Sequence, residues 1–105
     1  MKLIIWVLFS HWVADFVCQS DWMAKNKSSS NEALLIHTGT YGLVISSMTL
    51  NPMFGLVNAL LHTIVDYFTS RASSKLCKVG KIHWFFVVIG FDQFIHVSCL
   101  LLTLR

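Results

Sequence analysis

The sequence repeats one short pattern in which a histidine and an aspartate stand four residues apart. The segments HWVADF and HTIVDY place the aspartate after the histidine, and DQFIH places it before. Residues four apart lie on one face of a helix, so each pair would present an imidazole and a carboxylate in the same direction. The pairs are His11 and Asp15, His62 and Asp66, and Asp92 and His96.

These residue types predict a site for a divalent metal ion. Imidazole and carboxylate are the usual nitrogen and oxygen ligands of zinc, iron and manganese. An H-x-x-x-D turn supplies either two ligands, or one ligand and the carboxylate that orients it. We expect zinc first, with iron or manganese as alternatives. The predicted metal ligands are His11, Asp15, His62, Asp66, Asp92 and His96.

A metal at such a site predicts hydrolytic chemistry. The ion would lower the pKa of a bound water toward about 7 and polarise a phosphoryl or carbonyl oxygen. The predicted catalytic residues are Asp15, His37 and Asp66, with His37 or a carboxylate not needed as a ligand acting as general base. The sequence contains no GxSxG, P-loop, HExxH or zinc-finger spacing, which excludes the common soluble hydrolases and nucleotide-binding proteins.

The composition indicates which elements would position these residues. Of 105 residues, 55% are hydrophobic and only 12% are charged, whereas soluble domains carry about 25% charged residues. The apolar residues form four blocks, at about 2–20, 33–50, 53–70 and 82–104, each near the roughly 20 residues that cross a bilayer as a helix. Asn51-Pro52 supplies a tight turn between the second and third blocks. The prediction is an all-α membrane protein, with a single domain at 1–105 and four transmembrane helices in an up-down bundle.

Lysine and arginine are distributed unevenly between the two ends of this predicted bundle. By the positive-inside rule, the basic loops lie in the cytoplasm and both termini face away from it. This asymmetry explains the net charge of +3, so no nucleic-acid partner is expected. The loops after the first and third helices carry Lys25, Lys27, Arg71, Lys75, Lys78 and Lys81, and the opposite side carries Lys2 and Arg105.

The predicted orientation gives each polar residue a depth. In all three pairs the aspartate lies nearer the cytoplasm and the histidine lies deeper, whichever way the helix runs. We therefore expect the polar faces to converge in the cytoplasmic half of the bundle, with no buried lysine or arginine to neutralise the acids. Mutual pairing of protonated histidines with aspartates is the structural alternative to a metal. The first two pairs are 51 residues apart in register, which also predicts two helical hairpins related by a weak parallel repeat.

The segments HWVADFVCQSDWMAKNKS, HTIVDY and FDQFIH resemble a family of small bacterial and phage membrane proteins, catalogued as domain of unknown function 3307. The resemblance extends over most of the chain, from the first predicted helix to the fourth. It implies a membrane protein, expected in a bacterial inner membrane, with a shared set of polar residues, and it implies no activity. The matching residues are His11, Asp15, Phe16, Gln19, His37, His62, Asp66, Asp92, Gln93 and His96.

The leading functional hypothesis is a metal-dependent membrane hydrolase that acts on a lipid-like or amphipathic substrate from the cytoplasmic side. Lys25, Lys27 and Arg71 would attract an anionic headgroup. The second hypothesis is a small channel or carrier for protons or divalent cations that uses the same residues. A membrane-disrupting or exclusion protein of phage type is the third, although it gives the buried acids no role. Because so small a bundle buries little surface, a homo-oligomer is also considered.

Overall fold

The computed structural model describes residues 1–104, and these residues form helices joined by short connections. Helix α1 (Lys2–Trp12) continues directly into a π-helix (Val13–Val17), and a short helix α2 (Asp21–Asn26) follows. Three long helices complete the fold, namely α3 (Asn31–Thr49), α4 (Pro52–Lys78) and α5 (Ile82–Thr103). No strand occurs within 1–104, so the predicted all-α class is confirmed.

Two of the predicted helix ends differ from the structure. The first apolar block was expected to be one helix to residue 20, but it changes to π-helix at Val13 and ends at Val17. The third block was expected to end near residue 70, but α4 continues for two further turns to Lys78. The reason is that hydropathy marks where contact with an apolar medium would end, whereas a helix continues as long as its backbone hydrogen bonds do.

Local signals in the sequence account for the other helix boundaries. The predicted Asn51-Pro52 turn is present: α3 ends at Leu50 in the left-handed conformation (φ 54°), and the Asn51 side chain accepts a hydrogen bond of 3.1 Å from Phe54 N. Pro52 then occupies the first turn of α4, where its missing N–H costs nothing. Ser20 and Ser30 cap α2 and α3 in the same manner as Asn51 caps α4.

Helix α4 is the centre of the bundle and packs along both α3 and α5. Its contact with α3 is very close, because a Cβ atom added to Gly55 would lie 2.6 Å from the carbonyl oxygen of Gly42. Gly42 and Ser46 both lie at this contact, where small residues permit close approach. Gly39 lies outside the contact, because nothing is within 4 Å of the Cβ it would carry. The close contact fixes α3 and α4 as one rigid hairpin.

The interior of the bundle is polar and its surface is apolar. A small apolar cluster that includes Val7, Ile45 and Leu100 is buried, but more of the buried side chains are polar. Large apolar side chains are exposed on every long helix. This is the reverse of the usual soluble protein, in which buried polar groups are the exception. The buried polar residues are Ser10, His11, Asp15, His37, Thr38, Asn58, His62, Asp66, Ser70, Asp92 and His96.

Within residues 1–104, one helix is both long and apolar enough to cross a membrane, and this helix is α5. Its most apolar stretch has a mean hydropathy of 2.0. Helix α1 is too short because the π-helix interrupts it, and polar residues such as His37 and Asp66 lower the hydropathy of α3 and α4. The same residues that make the interior polar therefore weaken the transmembrane signal of the helices that carry them.

Candidate metal centre

All seven residues of the predicted site come together in the interior of the bundle. Each is at most 8% exposed, and each of the four long helical segments contributes at least one. The predicted convergence of the polar helix faces is therefore present. His11 lies on α1, Asp15 on the π-helix, His37 on α3, His62 and Asp66 on α4, and Asp92 and His96 on α5.

Asp15, His37 and His62 form the most compact group of ligand atoms. His37 Nε2 lies 3.1 Å from Asp15 Oδ1 and 3.1 Å from His62 Nε2, and the third side of the triangle, from His62 Nε2 to Asp15 Oδ1, is 3.4 Å. Ligand atoms bonded to zinc at tetrahedral angles lie about 3.3 Å apart, given metal–ligand bonds of about 2.0–2.1 Å. The triangle therefore has the dimensions of one face of a zinc coordination sphere.

Ring stacking orients the histidines of this group. The His62 ring lies between Tyr41, at a centroid distance of 4.2 Å, and His96, at 3.8 Å. The Nδ1 atoms of His37 and His62 are buried and have no hydrogen-bond partner among the described residues. The Nε2 atoms are the ones directed at Asp15, so packing rather than hydrogen bonding selects which nitrogen each ring offers.

Two further groups of three share members with the first. His62, Asp66 and His96 form one group, and Asp15, Asp92 and His96 form the other. In each of the three groups, the ligand atoms all lie within 4.8 Å of one another, so each could hold a metal ion. His96 Nε2 is closest to Asp92 Oδ1, at 3.0 Å. The site is thus a continuous cluster rather than an isolated triad.

Gln93 connects the cluster through a hydrogen-bonded network. Its amide oxygen lies 2.7 Å from His11 Nε2, and its amide nitrogen donates to Asp15 Oδ2 and Asp92 Oδ2, both at 3.1 Å. The amide oxygen can only accept, so the His11 proton is on Nε2, and His11 Nδ1 accepts from the Tyr41 hydroxyl at 2.9 Å. All the polar positions of the amide are used.

His11 and His37 differ in how they relate to the three groups of ligand atoms. His11, predicted as a ligand, has both ring nitrogens in hydrogen bonds and belongs to none of the three groups found in residues 1–104. His37, predicted as a general base, is a member of the triangle. Asp15 and Asp66, predicted for both roles, lie among the ligand groups, as do Asp92 and His96.

The expectation that no buried lysine or arginine would neutralise the acids does not hold for Asp66. Lys27, in the connection between α2 and α3, places its ammonium nitrogen 3.1 Å from Asp66 Oδ2, and its side chain is only 19% exposed. A lysine stem is long enough to reach inward from a loop while its backbone stays at the surface. The sequence position of Lys27, seven residues after Ser20, gave no indication of this contact.

A cavity of about 470 Å³ leads to the cluster from the side of the bundle where Lys25, Lys27 and Lys78 lie. All three aspartates of the site line it, whereas none of its lining residues within 1–104 is a histidine. The histidines are therefore deeper than the aspartates as seen from the lysines, which agrees with the predicted polarity of the pairs. The apolar wall of the cavity consists of Phe16, Phe85, Val88 and Ile89.

Three residues of the site were missed by the reasoning from sequence. No role in the site was predicted for Tyr41, and Gln93 was noted only as part of the family pattern. Thr69 donates a hydrogen bond to Asp92 Oδ1 and was not noted at all. A signal existed for Tyr41 and Thr69, since they lie four and three residues after His37 and Asp66 and so share their helix faces.

The fold and the cluster define an all-helical bundle with a buried histidine–aspartate centre that could hold a metal ion. The chain belongs to the family described as "Protein of unknown function (DUF3307)", whose model matches residues 3–105. The resemblance seen in the sequence motifs is thereby confirmed. Neither the curated proteins nor the solved structures contain a significant match to the chain.

Proposed function

We propose that this protein is an integral membrane hydrolase that depends on a divalent metal ion and acts on a lipid-like or amphipathic substrate from the cytoplasmic side. One observation carries the proposal: the aspartates of the groups with metal-ligand spacing line a cavity whose lining also includes three lysines. A buried ligand set alone would fit a structural ion, but an accessible one fits catalysis.

The membrane placement rests on the distribution of apolar side chains. Residues such as Ile5, Leu43, Phe68 and Phe94 are exposed on four different helices, while ionisable groups fill the interior. Only 17% of the most apolar stretch of α5 is buried, so α5 does not resemble the core helix of a soluble protein. We propose that all four long helical segments cross the bilayer, with both termini away from the cytoplasm and the cavity open toward it.

The chain offers a three-ligand site for the ion at Asp15, His37 and His62, with zinc preferred because of the tetrahedral spacing. An ion bound there supplies Lewis acidity and a water of lowered pKa. Gln93 holds Asp15 in place by donating to Oδ2, which leaves Oδ1 free for coordination. Among the residues predicted as catalytic, Asp66 is the one outside the triangle, and it lies on the cavity wall, where it could complete the coordination or accept a proton.

The shape of the cavity favours a substrate with a charged head and an apolar tail. The exposed Lys25 and Lys78 line the cavity and would attract an anionic headgroup, whereas Lys27 reaches inward to Asp66. Phe16 and Phe85 supply apolar surface in the same cavity, which would suit the tail of such a substrate.

The test combines metal analysis with lipid hydrolysis. The protein is purified in detergent, its bound metal is measured, and anionic phospholipids in nanodiscs are examined by mass spectrometry for cleavage products. We expect metal and cleavage in the wild type, loss of both in His62→Ala, and loss of cleavage in Asp66→Asn. His83→Ala is the matched control, because His83 is exposed and lies outside the cluster. A well-folded wild type without metal would refute the proposal.

Transport of protons or divalent cations is the second candidate, and one observation favours it. Asn58, one turn before His62 on α4, donates to Thr103 Oγ1 at 2.9 Å, and Thr103 borders a second cavity at the far end of the bundle. Polar groups thus extend beyond the cluster toward the side opposite the lysines. Flux of protons or metal ions into liposomes containing metal-free protein would favour this function over hydrolysis.

A further inference from the structure

The carboxylate of Asp66 lies between two sets of nitrogen ligands. Its Oδ2 atom is 3.6 Å from His37 Nε2 and 3.7 Å from His62 Nε2, whereas its Oδ1 atom is 3.7 Å from His96 Nε2. The two oxygens of one carboxylate therefore face different histidines. A carboxylate that serves a single ion does not need this arrangement, but one that bridges two ions does.

The second set of ligands is incomplete without a partner. His96 Nε2 is buried and lies 3.0 Å from Asp92 Oδ1, yet it makes no hydrogen bond within the described chain. Asp66 Oδ2 is likewise buried without a hydrogen bond in 1–104, although the Lys27 ammonium is close to it. Buried polar atoms are normally hydrogen-bonded. The unpartnered His96 Nε2 marks a position at which a cation is needed, and on the other side of the carboxylate the Lys27 ammonium shows that Asp66 Oδ2 already attracts one.

The spacing of the rings agrees with two ions. His62 and His96 belong to different sets, and their rings are nearly parallel, with a centroid separation of 3.8 Å and an angle of 15°. Metal ions in two-metal hydrolytic sites lie about 3.5–4 Å apart. If each ion lies close to the plane of the imidazole that binds it, the two ions would be separated by about the distance between the two rings.

We propose that the interior of this protein binds two divalent cations, one held by Asp15, His37 and His62 and the other by Asp92 and His96, with Asp66 bridging them. The inference rests on the proposed metal-dependent function and adds a second ion to it. It also assigns Asp66 as a shared ligand rather than a general base. Gln93, which donates to both Asp15 and Asp92, then links the outer oxygens of the two ion sites.

The number of ions is measured by titrating the metal-free full-length protein with Co²⁺ in detergent and following the visible spectrum. We expect saturation at two equivalents per chain in the wild type and in the control His83→Ala. His96→Ala and Asp92→Asn should each saturate at one equivalent, because the triangle of the first site stays intact.

Each other outcome counts against a stated part of the reasoning. Saturation of the wild type at one equivalent would overturn the second ion and leave the proposed function standing, whereas no binding would overturn both. Two equivalents retained by His96→Ala would show that the second ion lies elsewhere. If the variants fail to fold, Mn²⁺ bound to the wild type decides by electron paramagnetic resonance: an exchange-coupled pair supports the proposal, and isolated ions refute it.

Discussion

Replacing Gln93 with leucine tests whether the hydrogen-bonded network holds the metal ligands in position. The substitution keeps most of the side-chain volume but removes three hydrogen bonds, two of which go to the carboxylates of Asp15 and Asp92. Two of the three bonds join different helices, and such bonds contribute about 0.6 kcal/mol each within membranes, so folding should lose about 1 kcal/mol. Metal affinity should fall about 10- to 100-fold, which is typical when a partner of a metal ligand is removed.

The affinity is measured by competition with a chromophoric chelator in detergent. Gln19→Leu is the matched control, because Gln19 also lines the cavity but its side-chain oxygen has no partner among the described residues. We expect the Kd of the Gln19→Leu variant to stay within twofold of wild type. If Gln93→Leu folds with native helicity and its Kd also stays within twofold, the amide does not position the ligands and the network has no role in metal binding.

Three further predictions follow from the packing and the charges. The Lys27→Met variant should bind metal about five- to tenfold more tightly than wild type, because the Lys27 ammonium competes with the metal for the Asp66 carboxylate. The Lys25→Met variant, which loses only an exposed charge, should bind metal with wild-type affinity in the same competition assay. Gly55→Ala should lower stability in a detergent unfolding titration by about 1–3 kcal/mol because the close contact with α3 is overpacked, whereas Gly39→Ala has open space and should not destabilise. With the other two cysteines replaced by serine, exposed Cys77 should react with a membrane-impermeant maleimide only in inverted vesicles, and reaction in intact cells would contradict the proposed orientation.

The convergence of the site could be predicted because two simple rules act on the same residues. The four-residue spacing fixes a common helix face, and the lysines at the helix ends fix the depth of Asp15 relative to His11. These rules say nothing of ring direction. Whether His11 has a free nitrogen to point at the carboxylates depends on Tyr41 and Gln93, which lie on helices other than α1 and occupy both of its ring nitrogens.

Other features of the structure cannot be recognised from the hydropathy of the sequence. The π-helix that carries Asp15 differs from an α-helix by one step in hydrogen-bond register, seen in the 2.9 Å bond from Cys18 N to Val13 O. Its residues are as apolar as those before it, so the pattern of the sequence does not change there. Similarly, the contact of Lys27 with Asp66 depends on how the α2–α3 connection folds back, and the spacing of residues along the sequence does not predict this.

The contact between Lys27 and Asp66 has a consequence for electroneutrality. With uncharged imidazoles, the three buried carboxylates and this one ammonium leave the interior with a net charge of −2, which a medium of low polarity tolerates poorly. Two divalent cations would more than neutralise it, and the displaced ammonium of Lys27 would move out to the cavity mouth. The remaining interior charge of +1 would then match the single negative charge of a phosphodiester, so Lys27 would balance the empty site and a phosphodiester substrate would balance the metal-filled one.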